Sequence, residues 1–205
     1  MRSTDPMPGN PWPHDMSITI EDAPPFITDL LFVRSVWGLD PAGVPPLSRE
    51  PEPGTSLRPR RPAVDELERL WLIDWDRAWS QFQDAPKQGR IPDENELRRI
   101  AAATDEELRE AFSSQPSAMW SIGVDREAAS TWRASLSNDH RTPLAETPER
   151  RALPALIHAW RHGIDTIIQL PYRGHYARQQ SGRHLVVSQE TRHNPDLYAE
   201  ALNNI

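Results

Sequence analysis

The chain has 205 residues, 37% of them hydrophobic, and a formal net charge of −7, which fits one domain with loosely structured appendages. It contains no cysteine, so disulfides, thiolate metal sites and cysteine nucleophiles are excluded. The acidic balance argues against a nucleic-acid coat protein, and no apolar run approaches the ~18 residues of a membrane-spanning helix.

The opening "MRSTDPMPGNPWPHDM" has no apolar core of the kind a secretory leader carries, so a cytoplasmic protein with no membrane partner is expected. Its prolines make residues 1–16 a disordered or loosely draped arm. "SITIE" (17–21) alternates as a short strand. "FITDLLFVRSVWGL" (26–39) is apolar enough to be buried; its β-branched residues suit a strand, while "TDLL" suits a helix capped by Thr28. Residues 40–62 hold seven prolines, which remove backbone donors and fix φ, so they read as a linker or surface strap.

"AVDELERLWLIDWDRAWSQF" (63–82) is the clearest helix. Leu67, Leu70, Trp71, Trp75, Ala78, Trp79 and Phe82 recur at helical spacing. A helix follows over 92–103, opened by Pro92 and early acids, and another from the capping-box pattern "TDEE" at 104–107. Further helices are expected over 125–136 and 147–164, the latter starting properly near Pro154 and ended by Gly163. Two apolar strands, "DTIIQLP" and "RHLVVS", precede a last helix with Asn194 as cap and Pro195 at its first position.

The expected fold is therefore α+β: a helical bundle packed in two layers on a small, mostly antiparallel sheet. It is preceded by the proline-rich arm, strand segments over 17–39 and the strap over 40–62, with residues 63–205 forming one core domain.

Charge is unevenly distributed. Residues 63–112 carry 13 acidic against 7 basic side chains, and residues 150–193 carry 7 arginines against Asp165 and Glu190, with five histidines. Such polarity steers partners or anions, or draws two halves of one domain together. The tryptophans at 71, 75 and 79 suggest either a stacking platform or a core stripe; Leu67, Leu70 and Phe82 on the same arc favour the core, with Trp79 at its edge placed to touch a ligand. "DWD" (74–76) has the look of a diphosphate-metal signature, but helical residues two apart point ~200° from each other, which leaves Asp74 for a salt bridge with an arginine. His158 and His162 have the i, i+4 spacing of paired metal ligands. They lie roughly 140–180° from the apolar stripe of their helix and lack the neighbouring glutamate of a zincin, so no metal is assigned to them.

The densest chemistry lies in "IIQLPYRGHYARQQSGRHLVVS" (167–188). An even-length turn at "SG" or "QQSG" puts His175, Ala177 and His184 on one face, open to solvent or a cleft, and leaves Tyr176, Leu185 and Val187 to pack on helices. An odd-length turn reverses this. Just beyond, Ser188, Thr191 and Arg192 sit beside a helix N-terminus able to receive an anion, or serve only as caps.

No nucleotide loop, serine-nucleophile motif or cofactor signature occurs, so no cofactor is expected. Two functions remain. The first is a non-enzymatic accessory protein that binds another protein through a charged surface. The second is an enzyme or sensor for a phosphorylated or carboxylated small molecule. Its site would use Arg173, Arg178, His184, Arg192 and Trp79 to bind, with His175 or His184 as the acid–base group.

Overall fold

The structure, a computed structural model, describes residues 11–83, 118–136 and 143–205. The helices expected over 92–103 and from 104 onward lie outside the described residues. Within them the chain runs β1 (Thr19–Asp22), α1 (Pro25–Val36), α2 (Val64–Gln83), α3 (Arg126–Leu136), α4 (Pro148–Arg151), α5 (Leu153–Arg161), β2 (Thr166–Leu170), β3 (Ala177–Gln179), β4 (His184–Ser188), α6 (Gln189–His193) and α7 (Pro195–Asn203).

Among the described residues the fold is α+β, with seven helices packed on a four-stranded sheet of order β1-β2-β4-β3. The sheet is mixed and mostly parallel, not mostly antiparallel. β1 pairs parallel with β2 and β2 parallel with β4, while only β3 runs antiparallel, against β4. The reason lies in the two apolar runs: β2 and β4 are buried along nearly their whole length. Strands covered on both faces are near-continuously hydrophobic and suit the middle of a parallel sheet. β3, the strand between them in sequence, lies outside β4 at the edge with all three residues exposed.

The sheet divides two cores, so the layers number three instead of two. Ile168, Leu170 and Val186 face a core built from α1, α2 and α3, which contains Trp37, Trp71, Trp75, Trp79, Trp120 and Trp132. Their odd-numbered neighbours Ile167, Leu185 and Val187 face a second core with Leu156, Ala159, Tyr198 and Leu202 from α5 and α7. Period-two alternation sends successive side chains to opposite faces, and here each face finds an apolar helical layer.

The apolar segment at 26–39 settles as a helix. Pro24 and Pro25 start α1 without a side-chain cap. Thr28 is not its cap; it is buried inside the first turn and donates to the carbonyls of Ala23 and Pro24. Trp71 on α2 donates through Nε1 to the Leu30 carbonyl at 2.8 Å and ties the two helices together. In the 147–164 region, Thr147 caps α4 and Ala152 ends it, and α5 then begins with Pro154 in its first turn. Proline tolerates that position because its missing N–H would have no partner there. Gly163 (φ 104) lets the chain leave α5 toward β2.

The proline-rich strap lies along its own chain. Leu47 is buried and bridges to Tyr172, the Pro46 carbonyl accepts from the Arg173 amide at 2.9 Å, and Arg58 donates to the Trp37 carbonyl. Asp125 clasps its far end. One carboxylate oxygen accepts from the Thr55 amide and hydroxyl, and the other accepts from the Glu127 and Ala128 amides at the start of α3. These bonds favour the charged form and hold the carboxyl down to about 2. Gly123 (φ 69) is required beside this clasp, because a Cβ there would collide with the Leu57 carbonyl oxygen. Of the N-terminal arm, Trp12 and Met16 pack onto the second core.

Candidate functional site

The turn between β3 and β4 decides where the arginines and histidines go. Ala177 lies opposite Val187, Arg178 opposite Val186 and Gln179 opposite Leu185. The ladder closes with the Gln180 amide on the His184 carbonyl at 2.9 Å. The loop is therefore Ser181, Gly182 and Arg183, an odd length, and facing residues share parity. His184 falls on the aromatic-core face with Val186; His175 falls on the opposite face with Ala177 and Gln179. The even-turn expectation is corrected on this point, and the two histidines are not brought together.

His184 is 4% exposed. Its Nδ1 meets the Ser181 hydroxyl at 2.6 Å, and its ring stands edge-on to Phe82 at 5.6 Å. Burial pushes its pKa below the ordinary value; Asp165 opposes that shift and Arg183 adds to it. Arg183 itself is paired with Asp165. His184 is thus a packed core histidine, not a group on the solvent side.

Arg192 is also inside, 6% exposed. Its Nε donates to Glu149 at 2.8 Å, and one terminal nitrogen donates to Asp22 at 2.7 Å and Gln169 at 3.0 Å. Burial opposes its charge, but the bond to Glu149 and the field of Glu149 and Asp22 outweigh it and raise the pKa. The network ties β1, β2, α4 and α6 together beneath the second core. Sequence reading missed Asp22, Glu149 and Gln169 as its members, since nothing local in "TIED", "PERR" or "TIIQL" marks a partner so distant in the chain. Trp79 is buried too, at 5.7 Å from Trp75 and 5.6 Å from Phe82, with Trp75 edge-on to it. It belongs to the core stripe. Asp74 meets the salt-bridge expectation through Arg77 at 2.8 Å, and it accepts from Trp120 Nε1 at 2.6 Å as well.

Three of the candidates stay outside. Arg173, His175 and Arg178 are all exposed. His175 is nevertheless held firmly, because its Nδ1 lies 2.9 Å from the hydroxyl of fully buried Thr191. The proton order follows from the neighbours. Ser188 Oγ donates to the Gly174 carbonyl at 2.7 Å, so the Thr191 hydroxyl must donate to Ser188 Oγ at 2.8 Å. Thr191 then accepts from both the Tyr176 amide and His175 Nδ1–H. This assignment leaves His175 Nε2 as a bare acceptor in the neutral ring. Ser188 is also the cap of α6, accepting from the Thr191 amide, and Asn194 caps α7. The hydroxyls considered for an anion are therefore engaged by the protein itself.

His175 and Arg178 line an open cleft of ≈ 170 Å³ between β3 and α7, together with Ala177, Gln179, Leu185 and Glu200. His158 on α5 and His162, the residue that ends it, are exposed with ring centroids 4.2 Å apart. Among the described residues no group of three or more histidine, aspartate or glutamate side chains is arranged to hold a metal ion. The outer face of α2 exposes Asp65, Glu66 and Asp76, with Glu66 paired to Arg69 and Glu68 accepting from the Asp40 amide. No helix among the described residues is long and apolar enough to cross a membrane. Comparison of the chain with protein-family models, curated proteins and solved structures found no match.

Proposed function

We propose that the chain is a cytoplasmic, non-enzymatic module that binds another protein through a charged surface. The observation that supports it is the partition of the candidate residues. His184, Arg192 and Trp79 are absorbed into the interior, while Arg178 stands exposed on the edge strand β3 and Arg173 and His175 stand exposed in the segment leading into it. A cleft of ≈ 170 Å³ is also smaller than the ~300–1,000 Å³ of ordinary small-molecule sites. The outer face of α2, which exposes Asp65, Glu66 and Asp76 beside Arg69 and Arg77, gives the module a second charged surface.

The test is affinity capture with the full chain and two charge-reversed forms, one at Glu66, Glu68 and Asp76 and one at Arg173 and Arg178. A single stoichiometric partner lost in one form and kept in the other supports the reading. Capture unchanged in both removes the charged surface as the determinant.

A second reading is favoured by the proton order at His175. A bare Nε2 in a cleft that Arg178 also lines suits a small phosphorylated or carboxylated molecule, with His175 as the acid–base group and no cofactor needed. A thermal-shift screen against phosphate and small carboxylates decides it. A ligand at ~100 times its dissociation constant stabilises by ~2.7 kcal/mol, and no shift for any of them rejects this reading.

A further inference from the structure

The outer edge of β3 is exposed along all three of its residues. In an antiparallel ladder, residues alternate between those whose main-chain groups turn to the neighbouring strand and those whose groups turn away. The Ser188 amide donates to the Tyr176 carbonyl and the Gln180 amide to the His184 carbonyl. Tyr176, Arg178 and Gln180 therefore address β4, and the N–H and C=O groups of Ala177 and Gln179 point outward from an exposed edge. Beside that edge runs the cleft against α7, lined by Ala177, Gln179, Leu185 and Ala201 and, on the α7 side, by Glu200. An edge strand flanked by a helix-walled groove suits strand addition, in which main-chain bonds supply affinity and alternate side chains supply specificity.

We infer that this edge receives an extended acidic segment of a partner protein as a fifth strand, an inference that rests on the protein-binding reading above. The sign of the partner comes from charge. Arg178 is exposed at the middle of β3 and Arg173 just before it. A second copy of this chain, pairing edge to edge about a two-fold axis, would set Arg178 against or next to its own copy, and like charges directly opposite destabilise a sheet. A strand carrying glutamate or aspartate there is matched instead.

The test reads amide hydrogen exchange in the full chain, with a short capped peptide alternating glutamate with valine and its lysine counterpart as probes. The glutamate peptide slows the Ala177 and Gln179 amides about tenfold or more, because each gains a carbonyl acceptor. The lysine peptide does not, and Arg178→Glu, which leaves the backbone untouched, exchanges the two preferences. Gln179→Pro deletes one outward donor while keeping every charge, and edge strands tolerate proline at such positions; it weakens peptide binding. If the two amides fail to slow with the glutamate peptide, or slow equally with the lysine peptide, the inference is overturned. If partner capture nonetheless persists, the protein-binding reading survives at another surface. If the amides slow but the full chain captures no partner, strand addition stands and the broader reading falls.

Discussion

On one face of the sheet, Ile168, Leu170 and Val186 meet a layer dominated by six tryptophans; on the other, Ile167, Leu185 and Val187 share their layer with Arg192, Glu149 and Gln169, all buried. Residues adjacent in one strand thus enter two different environments. The first is held by area and ring packing, with Trp71 and Trp75 stacked at 4.8 Å and Trp75 edge-on to Trp79. The second joins apolar packing to a charged network in which every member needs its partner. Loss of one ring opens a cavity that neighbours partly fill, whereas loss of one charge strands another away from water.

Breaking the network is the sharpest way to test that contrast. Arg192→Met leaves Glu149, 3% exposed, without its cation and should cost about 3–5 kcal/mol in denaturant unfolding. Adding Glu149→Gln should recover part of that loss, and additive losses would mean the two do not act as a pair.

On the aromatic face, Trp120→Phe keeps most of the ring area but removes the donor to Asp74. It should cost about 1–3 kcal/mol, less than the broken network. A cost equal to that of Arg192→Met would erase the distinction between the faces.

His184 is the polar intruder on the aromatic side, and its effect is one of pH. Its folded pKa is lowered, chiefly by burial, so the folded chain prefers the neutral ring. Its contribution is complete above the unfolded value near ~6.5 and is lost as pH falls from there through the lower folded value. Tm should therefore drop across that window in the wild type and drop less in His184→Gln, which does not titrate. Parallel Tm curves would assign the slope to other groups.

The smallest effect belongs to the edge. Arg178→Glu should change stability by no more than about 0.5 kcal/mol while altering capture of a partner. A large loss of stability would place Arg178 in the architecture instead of on a docking strip.

How far these features were visible in the chain depends on the range of the interaction that makes them. α2, α3 and α7 follow from apolar spacing and from local signals such as Asn194 followed by Pro195. The core role of Trp71 and Trp75 follows from their arc with Leu67. α1 was ambiguous because its apolar residues surround it, and only its burial between α2, α3 and the sheet settles it. The candidate site was legible in composition but not in placement. "HYARQQSGRH" shows which residues crowd the hairpin, yet a single residue of turn length sends His184 inward and leaves His175 outside. Arg192 reads as an anion-binding residue beside a helix start until Asp22, 170 positions away, closes on it.

By itself, then, the sequence determined the local elements, their caps, the apolar stripes and the charge imbalance, since each depends on residues within a few positions of one another. The tertiary structure alone decided the parallel order of the strands, the two-sided core and the separation of the histidines. Those depend on which distant segments meet and in what register, and one residue of slip exchanges the faces of a strand.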